Sequence, residues 1–317
     1  MTFVSRELAA RALPQLAGGL FLTDAGLETE LVFIDGVDLP CFAAFPLAAT
    51  PEGRARLERY YKGFLDLAAE TDAGIVLETP TWRAQKGWGA EIGLTEDDVK
   101  TAIRAAVDLM VGLRRDFDGK GPAVISGQIG PSGDGYSPET LMTPEEAQAH
   151  HAWQIGVFAE TEADFVTALT MTHVGEAVGV ARAAKAAGMP SVISFTVETD
   201  GRLPSGQTLV DAIAETDALT DAAPAYYMIN CAHPTHFASV LDAKAPALAR
   251  LRGLRANASK CSHAELDAAT ELDDGDPAAL GRENADIMRL LPNLNVFGGC
   301  CGTDLRHVRE IARSVAA

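Results

Sequence analysis

Eight short apolar runs, each followed by a longer amphipathic stretch, leave few folds open to this chain. The apolar runs are Leu20–Asp24, Gly74–Glu78, Ala123–Gly127, Asp164–Leu169, Ser191–Thr196, Tyr226–Asn230, Leu251–Ala256 and Asn295–Gly298. Several are continuously apolar, as strands are when both faces of a sheet are covered. The stretches between them carry helical periodicity over Pro51–Glu70, Thr95–Phe117, Thr143–Thr161, His173–Ala187, Gln207–Ala222, Pro234–Lys244, Pro277–Leu290 and Asp304–Val315. Start signals such as Thr143-Pro144-Glu145-Glu146 and Asp276-Pro277 support these helices. Strand–helix alternation implies a parallel sheet with right-handed crossovers, and eight rounds of it predict an α/β fold, a single (β/α)8 barrel. An open doubly wound sheet is the competing topology, but no G-x-G-x-x-G loop follows an early strand. No linker composition divides the chain, so residues 1–317 are expected to form one barrel domain, with Met1–Gly18 as a leading arm or helix.

Composition narrows the function. Hydrophobic residues make up 47% of the 317 and charged residues 22%, enough for a large core. With 44 acids against 26 bases the formal net charge is −18. A surface of that sign repels phosphate backbones and anionic lipid, so neither nucleic acid nor a membrane is an expected partner. Arg6, Glu7 and Arg11 interrupt the N-terminal apolar residues, against a secretory signal, and no run approaches a membrane span. The expectation is a cytoplasmic protein with reduced thiols, acting on small molecules, with a homo-oligomer left open.

Three of the five cysteines fall where a barrel builds its active site. Cys231 ends the sixth apolar run, and Cys300-Cys301 follow the eighth within Gly298-Gly299-Cys300-Cys301-Gly302. Both points belong to the C-terminal rim, and the two strands are separated by one neighbour. Three thiolates with one open position suit Zn²⁺, and a thiol that reaches such an ion becomes a nucleophile at neutral pH. The glycines are read as letting the backbone bend so that adjacent cysteines reach one centre. Cys41 and Cys261 are read as packing residues. His233 and His236, close after Cys231, are read as surface or packing residues, with ligation the weaker alternative. His150-His151, in mid-helix, is read as a solvated face.

Asn230-Cys231 and Gly298-Gly299-Cys300-Cys301-Gly302 resemble the Asn-Cys and Gly-Gly-Cys-Cys motifs of the zinc-dependent homocysteine S-methyltransferase family. The likeness extends from about Leu20 to Ile311. It includes Thr23-Asp24-Ala25-Gly26 with Thr29-Glu30-Leu31, Gly127-Gln128-Ile129-Gly130-Pro131 (Gln128 standing where Ser is usual), Ile193-Ser194-Phe195-Thr196 and Asn257-Ala258. The resemblance implies a zinc-bound thiol acceptor, with Asp24 contacting the amino acid substrate. It also implies that backbone amides of the Ala25-Gly26-Leu27 turn receive the substrate carboxylate, and that Asn230 belongs to the substrate site.

One departure bears on substrate choice. Leu169 stands where the family has a Glu that holds the ammonium of homocysteine, which is expected to weaken homocysteine recognition. Glu28 either restores a carboxylate or faces solvent. Trp82 either packs over the donor's methyl cation or belongs to the rim. The expected activity is zinc-dependent methyl transfer from a small onium donor, of the S-methylmethionine or S-adenosylmethionine type, to a thiol such as homocysteine, giving methionine. A different small thiol, a corrinoid-protein donor, a zinc hydrolase and a non-catalytic zinc-stabilised binding protein are the alternatives.

Overall fold

The computed structural model describes residues 13–135 and 141–316. Its eight parallel strands close into a barrel in sequence order. They are β1 (Phe21–Leu22), β2 (Gly74–Glu78), β3 (Ala123–Ile129), β4 (Phe165–Met171), β5 (Ser191–Phe195), β6 (Tyr226–Asn230), β7 (Leu251–Ala256) and β8 (Val296–Gly299). β1 pairs with both β2 and β8, so the sheet has no edge. The main helices are α1 (Pro51–Glu70), α2 (Glu96–Asp116), α3 (Pro144–Ala159), α4 (Val174–Ala187), α5 (Leu209–Thr220), α6 (Pro234–Phe237), α7 (Pro277–Leu290) and α8 (Leu305–Val315). Residues 1–12 of the expected leading arm lie outside the described residues; the rest carries a 3₁₀ turn at Pro14–Ala17. No helix among the described residues is long and apolar enough to cross a membrane.

Local chemistry starts the helices where the sequence predicts. Thr143 accepts the Glu146 amide while the Glu146 side chain returns to the Thr143 backbone, and Asp276 accepts the amides of Ala278 and Ala279. The region after β6 differs from the expected Pro234–Lys244 helix. α6 stops at Phe237 and continues only as a 3₁₀ turn, Ala238–Val240. Phe237 is buried but Val240 is 51% exposed, so beyond Phe237 there is no apolar face to hold a longer helix.

The barrel interior is divided between packing and chemistry. Its N-terminal part is filled by Phe21, Val76, Val124, Phe165, Val192 and Tyr226, one from each of six strands. Gln15, from the leading turn, donates to the Tyr226 hydroxyl at 3.3 Å and covers that end. Near the C-terminal ends the strands turn polar or irregular. β4 runs two residues past its expected end and its pairing to β5 shifts between Ala168 and Met171. Thr170 lies inside this bulge at φ +62°, a conformation that a β-branched residue adopts only when held.

Because the lower layer is remote from the rim, its loss should cost stability alone. Phe165→Ala is expected to destabilise the protein by about 3–5 kcal/mol, the usual cost of an emptied aromatic site. Urea titration measures this, and metal content per folded chain should not change.

Candidate metal centre and substrate cavity

Each cysteine is placed by a different local device. Cys231 leaves β6 at φ +55°. Its amide donates to the Arg255 carbonyl at 3.1 Å, and its carbonyl accepts His263 Nε2 at 2.7 Å. His263 is itself tied through Nδ1 to Glu198 at 3.0 Å. The left-handed turn that aims the Cys231 thiol inward is therefore fastened on both sides. After β8, the Cys300 amide donates to the Ala256 carbonyl at 2.8 Å, and the Cys300 carbonyl accepts the Thr303 hydroxyl at 2.6 Å.

The glycines here serve close approach more than bending. A β-carbon on Gly298 would run into the Thr23 side chain and the Asp24 carbonyl, and one on Gly299 into Thr303. Only Gly302 takes a positive φ, +76°.

The result is a cluster of three sulfurs. Cys231 Sγ lies 2.7 Å from Cys300 Sγ and 3.5 Å from Cys301 Sγ, and all three fall within 4.8 Å of one another. No other such group of His, Cys, Asp or Glu occurs among the described residues. Hydrogen bonding from Cys231 and Cys301, together with the Arg255 charge, holds the Cys300 thiol well below its ordinary range. The same hydrogen bonds and burial push Cys231 up. Three thiolates this close repel one another unless a cation sits among them. With Zn–S bonds of about 2.3 Å, tetrahedral sulfurs stand roughly 3.8 Å apart; the Cys231–Cys301 spacing is close to that, and Cys231 and Cys300 would part by about 1 Å to admit such an ion. The donor set fits a soft or borderline metal.

Neither neighbouring histidine joins it. His233 caps α6 through Nδ1 and faces Glu283 through Nε2 at 3.3 Å, while His236 Nε2 meets the Lys260 carbonyl at 2.9 Å. Cys261 is half-buried and outside the cluster, whereas Cys41 is exposed, not packed, and lines the mouth of the cavity.

The sulfurs open into a cavity of about 440 Å³ that also reaches Glu28, Trp82, Leu169 and Arg255. Asn230 lines it too, but its amide is engaged in the wall. Oδ1 accepts the Thr170 amide at 2.8 Å and the Ser194 hydroxyl at 2.6 Å, while Nδ2 donates to Thr170 Oγ1 at 2.8 Å. Asn230 thus clamps the β4 bulge, which turns Leu169 toward the cavity. Leu169 is buried and lines the cavity.

Asp24 is nearly fully buried and does not line the cavity. Its Oδ1 lies 2.8 Å from Arg255 Nη2, an ion pair without hydrogen-bond alignment, and its Oδ2 accepts the Tyr60 hydroxyl at 3.2 Å. The turn amides have partners as well: Ala25 donates to Tyr60 Oη at 3.1 Å, Gly26 to the Thr303 carbonyl at 3.2 Å, and Leu27 to the Ala25 carbonyl at 3.1 Å. These amides are therefore already partnered within the fold: Gly26 ties the turn to the segment after β8, Ala25 ties it to α1, and Leu27 closes the turn on itself. Glu28 remains on the cavity wall. Burial pushes its carboxyl up to about 7, with Asp24 and Cys300 adding to the rise.

Two further expectations change. Trp82 carries the protein's own cation, since the Arg83 guanidinium carbon lies 4.2 Å from its ring centre, so that face is not open to a donor cation. His150-His151 is not a solvated face. His151 is fully buried with Nε2 2.8 Å from Glu176, and His150 Nε2 meets Gln85 Oε1 at 3.0 Å. Glu176 also accepts the Ser132 amide at 2.7 Å, so this cluster steadies the loop beyond β3.

Sequence reasoning missed Arg255. It is 3% exposed, donates from Nε to the Gly299 carbonyl and from Nη2 to the Ala25 carbonyl, both at 3.0 Å, and carries charge to the Cys300 side of the cavity. An arginine near the C-terminal end of the apolar run Leu251–Ala256, where the rim lies, was the available signal.

Fold and site together define a (β/α)8 barrel with a three-cysteine cluster at its C-terminal rim that could hold a metal ion. The chain belongs to the homocysteine S-methyltransferase family, whose model matches residues 21–315. It is 26% identical over 336 aligned positions to homocysteine S-methyltransferase 4 of Zea mays, covering 97% of this chain and 92% of that one. The metallated form of the homocysteine methyltransferase MmuM from Escherichia coli superposes with a TM-score of 0.69 at 19% identity, and its oxidised form with 0.70 at 20%. Each comparison covers 96% of this chain and 99% of that one, and each is a likeness of fold.

Glu78 is buried at the end of β2 with Oε2 unpartnered. Burial raises its carboxyl from an ordinary 4.5 to about 7, against the opposing charge of Arg255. Its proton is favoured in the folded state, so that contribution is complete below the unfolded value and is lost as pH rises through 7. Glu78→Gln should therefore gain stability relative to wild type between pH 4.5 and 8, by about 3 kcal/mol over the window. Denaturant titrations of both proteins across that range check it; a constant difference would contradict it.

Proposed function

We propose that this protein transfers a methyl group from a small onium donor, of the S-methylmethionine or S-adenosylmethionine type, to the sulfur of homocysteine, giving methionine. The observation that carries the reading is the three-sulfur cluster opening into the rim cavity. We take the resident ion to be Zn²⁺, held by Cys231, Cys300 and Cys301. Bound there, it would supply the Lewis acidity that makes an incoming thiol lose its proton near neutral pH. In the transfer, a sulfur–methyl bond forms on the acceptor as the donor's methyl bond breaks. The donor's bonding pair stays with the departing group, which loses its positive charge.

The chain's own residues would arrange this reaction. Arg255, fixed by Gly299, Ala25 and Asp24, keeps positive charge beside Cys300. Asn230 holds the bulge that presents Leu169, and so shapes an apolar side for the acceptor's carbon chain. Glu28 takes the place of the missing strand-four carboxylate. A carboxyl raised by burial next to the sulfurs gains most from a substrate ammonium, whose charge reverses the cost of ionising it. This revises the expectation set by Leu169 alone: homocysteine is retained as acceptor because the carboxylate has moved to the loop after β1.

Steady-state kinetics with homocysteine and 3-mercaptopropionate test this assignment. Glu28→Gln should raise KM for homocysteine about tenfold or more, as expected for one charge-assisted hydrogen bond, and leave 3-mercaptopropionate unaffected. Adding Leu169→Glu to that variant should restore much of the loss. Equal effects on both thiols would remove Glu28 from ammonium recognition, and no turnover of either thiol with any onium donor would remove the reading itself.

A further inference from the structure

On the wall of the same cavity as Arg255 lies a second buried arginine that, among the described residues, has no acid within ion-pair distance. Arg83 follows β2 in Thr81-Trp82-Arg83 and is 7% exposed, on the wall of the same cavity as Glu28 and Cys300. Its guanidinium is clamped between two indoles, 4.2 Å from the centre of Trp82 and 3.8 Å from that of Trp88. Nη1 donates to the Gly133 carbonyl at 2.8 Å, whereas Nε is buried without a partner. Among the described residues no carboxylate stands within ion-pair distance of it. Asp134 and Glu28 act on it only through their more distant charge, which does not offset burial, and its pKa is lowered to about 10.

A cation buried in this way, without its counter-charge, is costly unless a ligand supplies one. The two indoles and the Gly133 carbonyl hold the guanidinium in place, and a held planar fork matches a carboxylate in two-point geometry better than any other common anionic group of a small metabolite except phosphate. The acid-rich surroundings, with Glu28 and Asp134 on the same wall, disfavour the doubly charged phosphate. The turn amides of Ala25, Gly26 and Leu27 are meanwhile engaged within the protein. Glu28 and Cys300 line the same cavity as Arg83, so a cation, a carboxyl and the sulfurs share one small space.

We propose that Arg83, held between Trp82 and Trp88, is the carboxylate receptor of this cavity and selects substrates that carry a carboxylate together with a cationic group. The proposal rests on the methyl-transfer reading for what the substrates are. The carboxylate can belong to the thiol acceptor or to the onium donor, and the experiment separates them.

Isothermal titration calorimetry on the metal-loaded protein would compare homocysteine with its carboxamide in one arm, and S-methylmethionine with its carboxamide in the other. In the wild type the acid should bind more tightly than the amide by about 10- to 100-fold in at least one arm, and that arm identifies whose carboxylate Arg83 holds. In Arg83→Gln this preference should fall below about threefold with the amide's affinity unchanged, and Arg83→Lys should recover part of it. The wild-type comparison changes the ligand and not the protein, so it stands even if a variant folds poorly. Acid and amide binding alike in both arms, or equal weakening of both by Arg83→Gln, would overturn the proposal and leave Arg83 as a brace for the two indoles. Absence of binding by all four ligands would overturn it as well. Should Arg83-dependent binding be found without methyl transfer in any pairing, the carboxylate receptor would stand and the methyl-transfer reading would fall.

Discussion

β8 pairs with β1 on one side and β7 on the other, and this closure of the sheet is what brings the ends of the chain's chemistry together. Cys231 and Cys300 are far apart in sequence, yet β6 and β8 flank β7, so their next residues emerge on one rim. Close approach at the seam is strict. Gly298 lies against Thr23 and Asp24, and Gly299 against Thr303, with no room for a β-carbon at either position. A side chain there would push β8 from β1 and carry the cysteine pair away from Cys231. The Asp24–Arg255 ion pair crosses the same seam, since Arg255 also grips the Gly299 and Ala25 carbonyls.

Closure alone would give a packed barrel, as it does at the N-terminal end. The rim adds backbone strain that hydrogen bonds hold in place. Cys231 and Thr170 both occupy the left-handed region, as do Cys41 and Phe42 at the cavity mouth. Such residues persist where their surroundings over-determine them. Asn230 supplies that restraint for Thr170, and His263 with the Arg255 carbonyl supplies it for Cys231. The half-buried carboxyl of Glu28, the buried carboxyl of Glu78 and the buried guanidiniums of Arg83 and Arg255 are further costs concentrated at one end, set against the apolar layer beneath.

Much of this was legible in the sequence because the signals were local or periodic. Each of the eight apolar runs overlaps one of the eight strands, with ends that differ by up to two residues, and α1 and α7 keep the expected limits, since burial patterns and caps are written in neighbouring residues. The cysteine cluster was legible because strand order fixes which ends meet. What was not legible depended on side chains crossing the barrel. Asp24 looked like a substrate contact but is consumed by Arg255 and Tyr60. Trp82 looked like a cation receptor and already carries one. His151 sat in a polar-looking stretch of α3, yet its partner Glu176 comes from the next helix. The Pro234–Lys244 helix failed for the opposite reason: the periodicity was present, but Val240 remains 51% exposed, so burial gives a longer helix little support.

The central claim is that Cys231, Cys300 and Cys301 together hold one Zn²⁺ and that no histidine does. Zinc K-edge X-ray absorption on the loaded protein, with its bound zinc counted per chain, tests this most directly. The account predicts one zinc per chain with three protein sulfurs at about 2.3 Å and no imidazole scattering, and loss of that shell in Cys300→Ala. A shell containing imidazole, or one left intact by Cys300→Ala, would contradict it.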